Sequence, residues 1–303
     1  MTVFDDKHFV FIISGGRTGT KYFGDVLSSL MPDAFSVHEP DVLTDFKLKS
    51  VQQIKLFGLY QLVFGKLTGK TGIRNLSQNY LSGKIDIGEL NTAVSKHRRR
   101  YYESIAEDLI IESYSGWYGV IPAIRQLFKY YKIVVIVRDP RDWVTSNMNW
   151  GTMYGKRDWV DRLGLGRLEP RMVNDSDFIS QWPRFTRFQK LCWSWKTIYE
   201  IILQNIRHDP NAYIMKFEDV FHAKDKYEHF QGLLDHITTF SDRHFFYQIP
   251  EGILDQRKNI NISNEFSSWI HWSDEMKDHL DRICRDLAAQ FGYRLSATRS
   301  KIS

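Results

Sequence analysis

The chain of 303 residues is 43% hydrophobic and 25% charged, with a formal net charge of +5. That make-up suits a soluble globular protein with core enough for one large α/β domain, and the modest positive balance suits an acidic small ligand, with no nucleic-acid partner expected. Two cysteines, Cys192 and Cys284, exclude a disulfide framework; no apolar run approaches the ~18 residues that span a bilayer; and "MTVFDDKHFVFIIS" carries acids before its apolar stretch with no cleavage-site pattern, so the expected compartment is the cytoplasm.

"HFVFIIS" (8–14) is short, β-branched and aromatic and ends at Gly-Gly, which predicts a buried strand. "TKYFGDVLSSLM" (20–31) repeats its apolar residues at helical spacing, and "AFSVHEP" (34–40) reads as a second strand, expected beside the first. Residues 41–105 mix helical pieces with a basic cluster, "KHRRRYYE" (96–103), and read as a helical insertion. The cluster is expected to be a solvated charged face, with an acidic acceptor or a membrane surface as its functional alternatives. "DLIIES" (108–113) predicts a strand, "YGVIPAIRQLFKYY" (118–131) an amphipathic helix, and "KIVVIV" (132–137) a strand that runs into a turn and helix, "RDPRDWVTSNMNW" (138–150). A variable loop over about 151–185 precedes a long helix at 185–206, a strand at 212–219 and a last helix at 273–293 stopped by Gly292. Strands alternating with helices predict an α/β fold, a central parallel sheet with helices on both faces, built as one domain over 1–303.

The junction "FIISGGRTGTKYFGDVL" (11–27) raises the chemical question. A strand that feeds a glycine-rich turn into a helix N-terminus leaves unpaired N–H groups and the positive end of the helix dipole facing one point. Gly16, Arg17, Thr18, Gly19, Thr20 and Lys21 supply that backbone, two cations and two hydroxyls, so the expected ligand is a phosphate-type anion. The nucleoside triphosphatase loop does not fit: its lysine would stand one place earlier, and Tyr22 occupies the position of the magnesium-binding hydroxyl. The dinucleotide G-x-G-x-x-G spacing fails as well. A second strand–turn–helix junction offers Arg138 at the strand end and Ser146 in the helix, a partner site for another phosphate of the same ligand at the carboxyl edge of the sheet.

"SGGRTGTKYF" followed by "VVIVRDPRDWVTSNMNW" resembles the sulfotransferase family that uses 3′-phosphoadenosine 5′-phosphosulfate (PAPS), nearer its carbohydrate and bacterial members than its cytosolic phenol-type members. The resemblance implies a P-loop-like sulfotransferase fold, a 5′-phosphosulfate loop at Gly16–Lys21 with Arg17 in the basic position, and a 3′-phosphate site at Arg138 and Ser146. "YIMKFEDVF" (213–221) and "SSWIHWSDEMKDHLDRICRDLAAQFGY" (267–293) are similar to later stretches of the family. Arg257 and Lys258 resemble an Arg-Lys-Gly element over the 3′-phosphate, with Asn259 in place of the glycine.

Transfer needs a base for the acceptor, cations at the moving group and an aligned leaving phosphate. "SVHEPD" offers Glu39, supported by the Glu-Pro of carbohydrate-type relatives, and His38; strand alternation lets only one of them face the cleft. The structural alternative for Glu39 is a pair with a nearby arginine. The strand that carries the histidine of cytosolic members corresponds here to "LIIESYSGW", which offers Glu112 and Ser113 instead. Trp193 and Trp195 read as core, and ten scattered histidines give no metal-ligand spacing, so no metal is expected. The expected enzyme moves the sulfuryl group from PAPS, leaving 3′-phosphoadenosine 5′-phosphate (PAP), to a hydroxyl, or less readily an amine, of a small-molecule, glycan, glycolipid or hydrophobic acceptor. A nucleotide kinase-like phosphotransferase and a non-catalytic nucleotide-binding module are the alternatives. Oligomeric state is left open.

Overall fold

A computed structural model describes residues 2–42, 48–65, 67–155, 158, 167–255 and 265–295. Five parallel strands lie in the order β2-β3-β1-β4-β5: β1 His8–Ser14, β2 Ala34–His38, β3 Leu109–Ser113, β4 Tyr130–Val137 and β5 Ala212–Lys216. Every residue of β1 is buried, because it is the central strand and is covered on both faces. Its side chains alternate. Phe9, Phe11 and Ile13 join one apolar core with Trp117, Trp143, Trp193 and Trp195, while Val10 and Ile12 join a second core with Phe23, Val26, Phe230 and Leu233. The expected α/β architecture is present.

The second strand does not lie beside the first. β3 pairs with both, His8 opposite Leu109 and Ala34 opposite Leu109, so β2 is pushed to the edge. The reason is composition: Leu109, Ile110 and Ile111 make a strand apolar on both faces, whereas β2 carries Ser36 and His38 and leaves alternate residues half-buried.

Helix α1 (Thr20–Leu30) packs across β2 and β3. The long 41–105 connection contains α2 (Leu48–Phe57), a π-helical turn (Tyr60–Gly65), α3 (Ile73–Leu81) and α4 (Ile87–Glu103), the last started by Asp86, whose side chain accepts from the Glu89 N–H. The helix expected over 118–131 is shorter. A 3₁₀ turn (Ser115–Gly119) leads to α5 (Ile121–Leu127), and Tyr130 and Tyr131, both good strand formers, already belong to β4. After β4, Asp139 caps and Pro140 opens α6 (Pro140–Trp150), so "RDP" is itself a helix-start signal. Then come α7 (Arg187–Ile206), a short α8 (Phe217–Phe221) where strand had been expected, α9 (Lys226–Thr238) and α10 (Asp274–Gln290), ended by Gly292 at φ +76°. Cys192 and Cys284 are both buried and free, with the Cys284 thiol donating to the Cys192 carbonyl at 3.4 Å.

The basic cluster 96–103 is not one exposed face. Arg98 is fully buried, with its guanidinium gripping Glu112 through Nη2–Oε1 at 2.6 Å and Nε–Oε2 at 3.0 Å. Tyr102 and Trp117 also donate to Glu112, at 2.6 and 3.0 Å. Asp41 joins from the other side: its Oδ2 takes His97 Nε2 at 3.0 Å, Arg98 Nη1 at 3.4 Å and the Ile73 N–H at 3.0 Å. Helical spacing turns His97 and Arg98 inward and leaves Arg99 and Arg100 exposed. Replacing Arg98 by Met strands two buried carboxylates. The expected cost is about 3–5 kcal/mol in urea unfolding, and pairing it with Glu112→Gln recovers part of that loss.

Candidate functional site: two arginines at the carboxyl edge of the sheet

The turn after β1 is built from left-handed backbone: Gly16 at φ +79°, Arg17 at +57° and Gly19 at +78°. A Cβ on Gly19 would meet the Phe221 ring at 2.9 Å, so glycine is required there twice over. Aromatic side chains hold the turn. Trp143 Nε1 donates to the Gly16 carbonyl at 2.8 Å, and the Gly15 N–H donates to the Tyr199 hydroxyl at 3.3 Å. Gly19 stands at the N-cap of α1 with no capping side chain, so the first-turn N–H groups face the cleft.

β4 adjoins β1, which brings the second junction against the first. Arg138 Nη1 donates to the Arg17 carbonyl at 2.9 Å, and Arg17 Nε donates to Ser146 Oγ at 3.3 Å. The Arg17 guanidinium carbon sits over the exposed Trp150 ring, 4.4 Å from its centroid, and that of Arg138 over Phe217 at 4.5 Å. Burial lowers the pKa of Arg17, and the Arg138 charge lowers it further; burial also lowers that of Arg138. Two half-desolvated cations side by side are a place where an anion is favoured. Among the described residues, Thr18 Oγ1 and Arg138 Nε are buried without a hydrogen-bond partner.

The base candidates sit along the same edge. Glu39 has left strand geometry, at φ +44°, and its N–H donates to the Ser113 carbonyl at 3.2 Å. Strand alternation therefore stops at His38, and both residues line the cleft, contrary to the expectation that only one could. The His38 Nδ1 bonds the same Ser113 carbonyl at 2.9 Å; a carbonyl only accepts, so Nδ1 carries a proton, which in the neutral ring leaves Nε2 to accept. The Glu39 carboxylate takes Arg74 Nη2 and Ser115 Oγ, each at 3.4 Å. Glu112 is committed to Arg98, and Ser113 Oγ donates to the Thr20 carbonyl at 2.8 Å, tying β3 to the start of α1.

One cleft of about 2860 Å³ holds Gly16, Arg17, Gly19, Thr20, Lys21, His38, Glu39, Arg74, Arg138 and Ser146 along its wall. Thr18 is buried behind it. Arg257 and Lys258 lie outside the described residues. Arg74 and Trp150 were not singled out by the sequence. Arg74 comes from α3 in the 41–105 connection and carries no motif, whereas Trp150 stands at the end of the quoted 138–150 stretch.

Residues 7–227 match the sulfotransferase domain family. The chain belongs to the sulfotransferase family. No curated protein matches it by sequence. Solved structures that the sulfotransferase resembles include the sulfotransferase domain from the curacin biosynthetic pathway (13% identity, 96% of this chain and 99% of that one, TM-score 0.48). Others are the sulfotransferase domain of the Synechococcus PCC 7002 olefin synthase (13%, 96% and 97%, 0.46) and a sulfotransferase from Alicyclobacillus acidocaldarius (12%, 94% and 94%, 0.43).

The enzyme is thus a PAPS-dependent sulfotransferase built on a five-stranded parallel α/β sheet. The site fits the donor's chemistry: two adjoining arginines, an uncapped helix N-terminus and the orphaned polar atoms of Thr18 and Arg138 suit two phosphate-type groups carried close together. Among the described residues no cluster of histidine, cysteine and acidic side chains could hold a metal ion, and no helix is long and apolar enough to cross a membrane. Substituting Gly19 by Ala forces a Cβ into Phe221 and into left-handed backbone. Roughly 2 kcal/mol of stability should be lost in urea unfolding, and calorimetry should show PAP binding weakened along with it.

Proposed function

We propose that this sulfotransferase wraps the 5′-phosphosulfate of PAPS with Gly16, Arg17, Thr18, Gly19, Thr20 and Lys21, and holds the 3′-phosphate with Arg138 and Ser146. The single observation that carries the reading is the contact of the two junctions, Arg138 on the Arg17 carbonyl and Arg17 on Ser146. Phosphates at the 3′ and 5′ positions share one ribose, so their binding groups must be neighbours. When bound, PAPS supplies the sulfuryl group.

On this reading Glu39 takes the acceptor's proton. It lines the cleft on a strained turn, of the kind that clusters at reacting centres, and its side chain is about one-fifth exposed. Arg74 holds the carboxylate in place as well as pairing with it, so the functional and structural readings of Glu39 are compatible. Arg17 neutralises charge as the leaving phosphate departs, and the N–H groups of α1 assist. His38, with Nε2 as acceptor, is the alternative base.

The acceptor is proposed to be a carbohydrate, glycolipid or hydrophobic metabolite that presents a hydroxyl, or less readily an amine. Its pocket is drawn from the helical stretch 41–105 and the loop 151–185, treated as elaborations of one domain. Gln53, Leu56, Arg74, Tyr101 and Leu168 line the cleft from those stretches, mixing apolar surface with hydrogen-bonding groups. No metal is assigned a part in the reaction.

Two experiments test this. Arg138→Ala should weaken PAP binding in calorimetry by roughly a hundredfold, since a charge-assisted phosphate contact is lost and its buried partner atoms remain; unchanged affinity would remove the donor-site assignment. Glu39→Gln should leave PAP affinity within about twofold and cut transfer to an accepting hydroxyl roughly a hundredfold or more. If His38→Asn gives that loss and Glu39→Gln does not, the base is His38.

A further inference from the structure

From residue 46 to residue 85 the chain runs for 40 residues without an acid, and holds seven cations: Lys47, Lys49, Lys55, Lys66, Lys70, Arg74 and Lys84. The whole chain is only +5, so the remaining 263 residues are net −2, and the protein's positive charge resides in this one stretch. The cluster at 96–103, expected to be a solvated charged face, is exposed at Arg99 and Arg100 but turns His97 and Arg98 into the interior.

The same stretch breaks the rule for burying apolar groups. Eight large hydrophobic side chains are markedly exposed among the described residues, and four of them fall between positions 59 and 67: Leu59, Tyr60, Phe64 and Leu67, each more than half exposed. The Tyr60 and Phe64 rings stack, with centroids 6.4 Å apart, so they form one patch. Leu62 and Gly65 of the same π-helical turn are buried, so the segment is apolar on its inner and its outer side. Lys55 and Lys70 are exposed on either side of it in sequence, and Gln53, Lys55 and Leu56 also line the cleft.

We infer that this face docks on the surface of an anionic lipid bilayer. Leucine and aromatic tips enter the boundary between headgroups and acyl chains, and lysines reach the acidic headgroups while their alkyl stems cover apolar surface. Charge decides among occupants. A second copy seated two-fold on the same face would set its exposed Lys55 and Lys70 against like charges. A bilayer supplies the apolar medium and the negative sheet together, with no need of shape complementarity. Docked this way, the cleft wall formed by Gln53, Lys55 and Leu56 adjoins the segment seated on the leaflet, which suits an acceptor anchored in lipid if the proposed transfer reaction holds.

The test is flotation of the full chain with vesicles of phosphatidylcholine alone or with phosphatidylglycerol, in the absence of donor and acceptor, so that its result is independent of the donor-site assignment. Binding is expected with phosphatidylglycerol only and should fall as salt rises. Leu59→Asp combined with Phe64→Asp should abolish it, and Lys70→Glu should weaken it by roughly tenfold, with melting by circular dichroism unchanged in both. Absence of flotation with the anionic vesicles overturns the inference, as does flotation that survives the double substitution. Should sedimentation show instead an oligomer that the double variant turns into monomer, with no vesicle binding by either, the occupant is a second copy and the lipid assignment is wrong.

Discussion

Two arginines are held next to one another at the carboxyl end of adjacent parallel strands, and most of the architecture around them is explained by the work of keeping them there. Like charges at that distance repel, and burial penalises both. The opposing forces are local: a carbonyl and a hydroxyl take their N–H groups, and Trp150 and Phe217 lie beneath the guanidinium carbons. Tyr199 and Trp143 fix the turn that carries Arg17. The result is a pair of neighbouring, partly desolvated cations, the arrangement on which the proposed donor site rests.

The scaffold beneath it shows the same economy on a larger scale. Arg98, Glu112 and Asp41 are three charges in a dry interior, and such a cluster is weak evidence for stability by itself. Its position suggests what it secures. Asp41 lies two residues after Glu39 and accepts the first N–H of α3, the helix that carries Arg74. Glu112 precedes Ser113, whose carbonyl takes both the Glu39 N–H and the His38 ring. The buried network thus joins four separate chain segments next in sequence to the proposed base and to Arg74.

Much of this was legible beforehand. The strand limits of β1 were read to the residue, because a seven-residue β-branched and aromatic run that ends at Gly-Gly has few other solutions. The two strand–turn–helix junctions proposed to bind the donor were legible for the same local reason, and the structure adds that they touch. Long-range order was not. Nothing in "AFSVHEP" says that a later strand will insert between it and β1, since sheet order follows from competition for the most buried place. Arg98 was misread because three arginines in a row look alike until helical phase sorts them. Arg74 was missed because a lone arginine on a helix has no signature; only the fold brings it to Glu39. Alternation failed at Glu39 because the rule stops where the strand does.

That last feature reaches beyond geometry. Left-handed backbone is costly for a glutamate and much cheaper for asparagine or glycine. Evolution under pressure for robustness alone, blind to turnover, would therefore drift at position 39 toward those two residues. Redesign of this chain that scores folding only would favour erasing the carboxylate, as it would the Arg17 guanidinium, and would count the loss as an improvement.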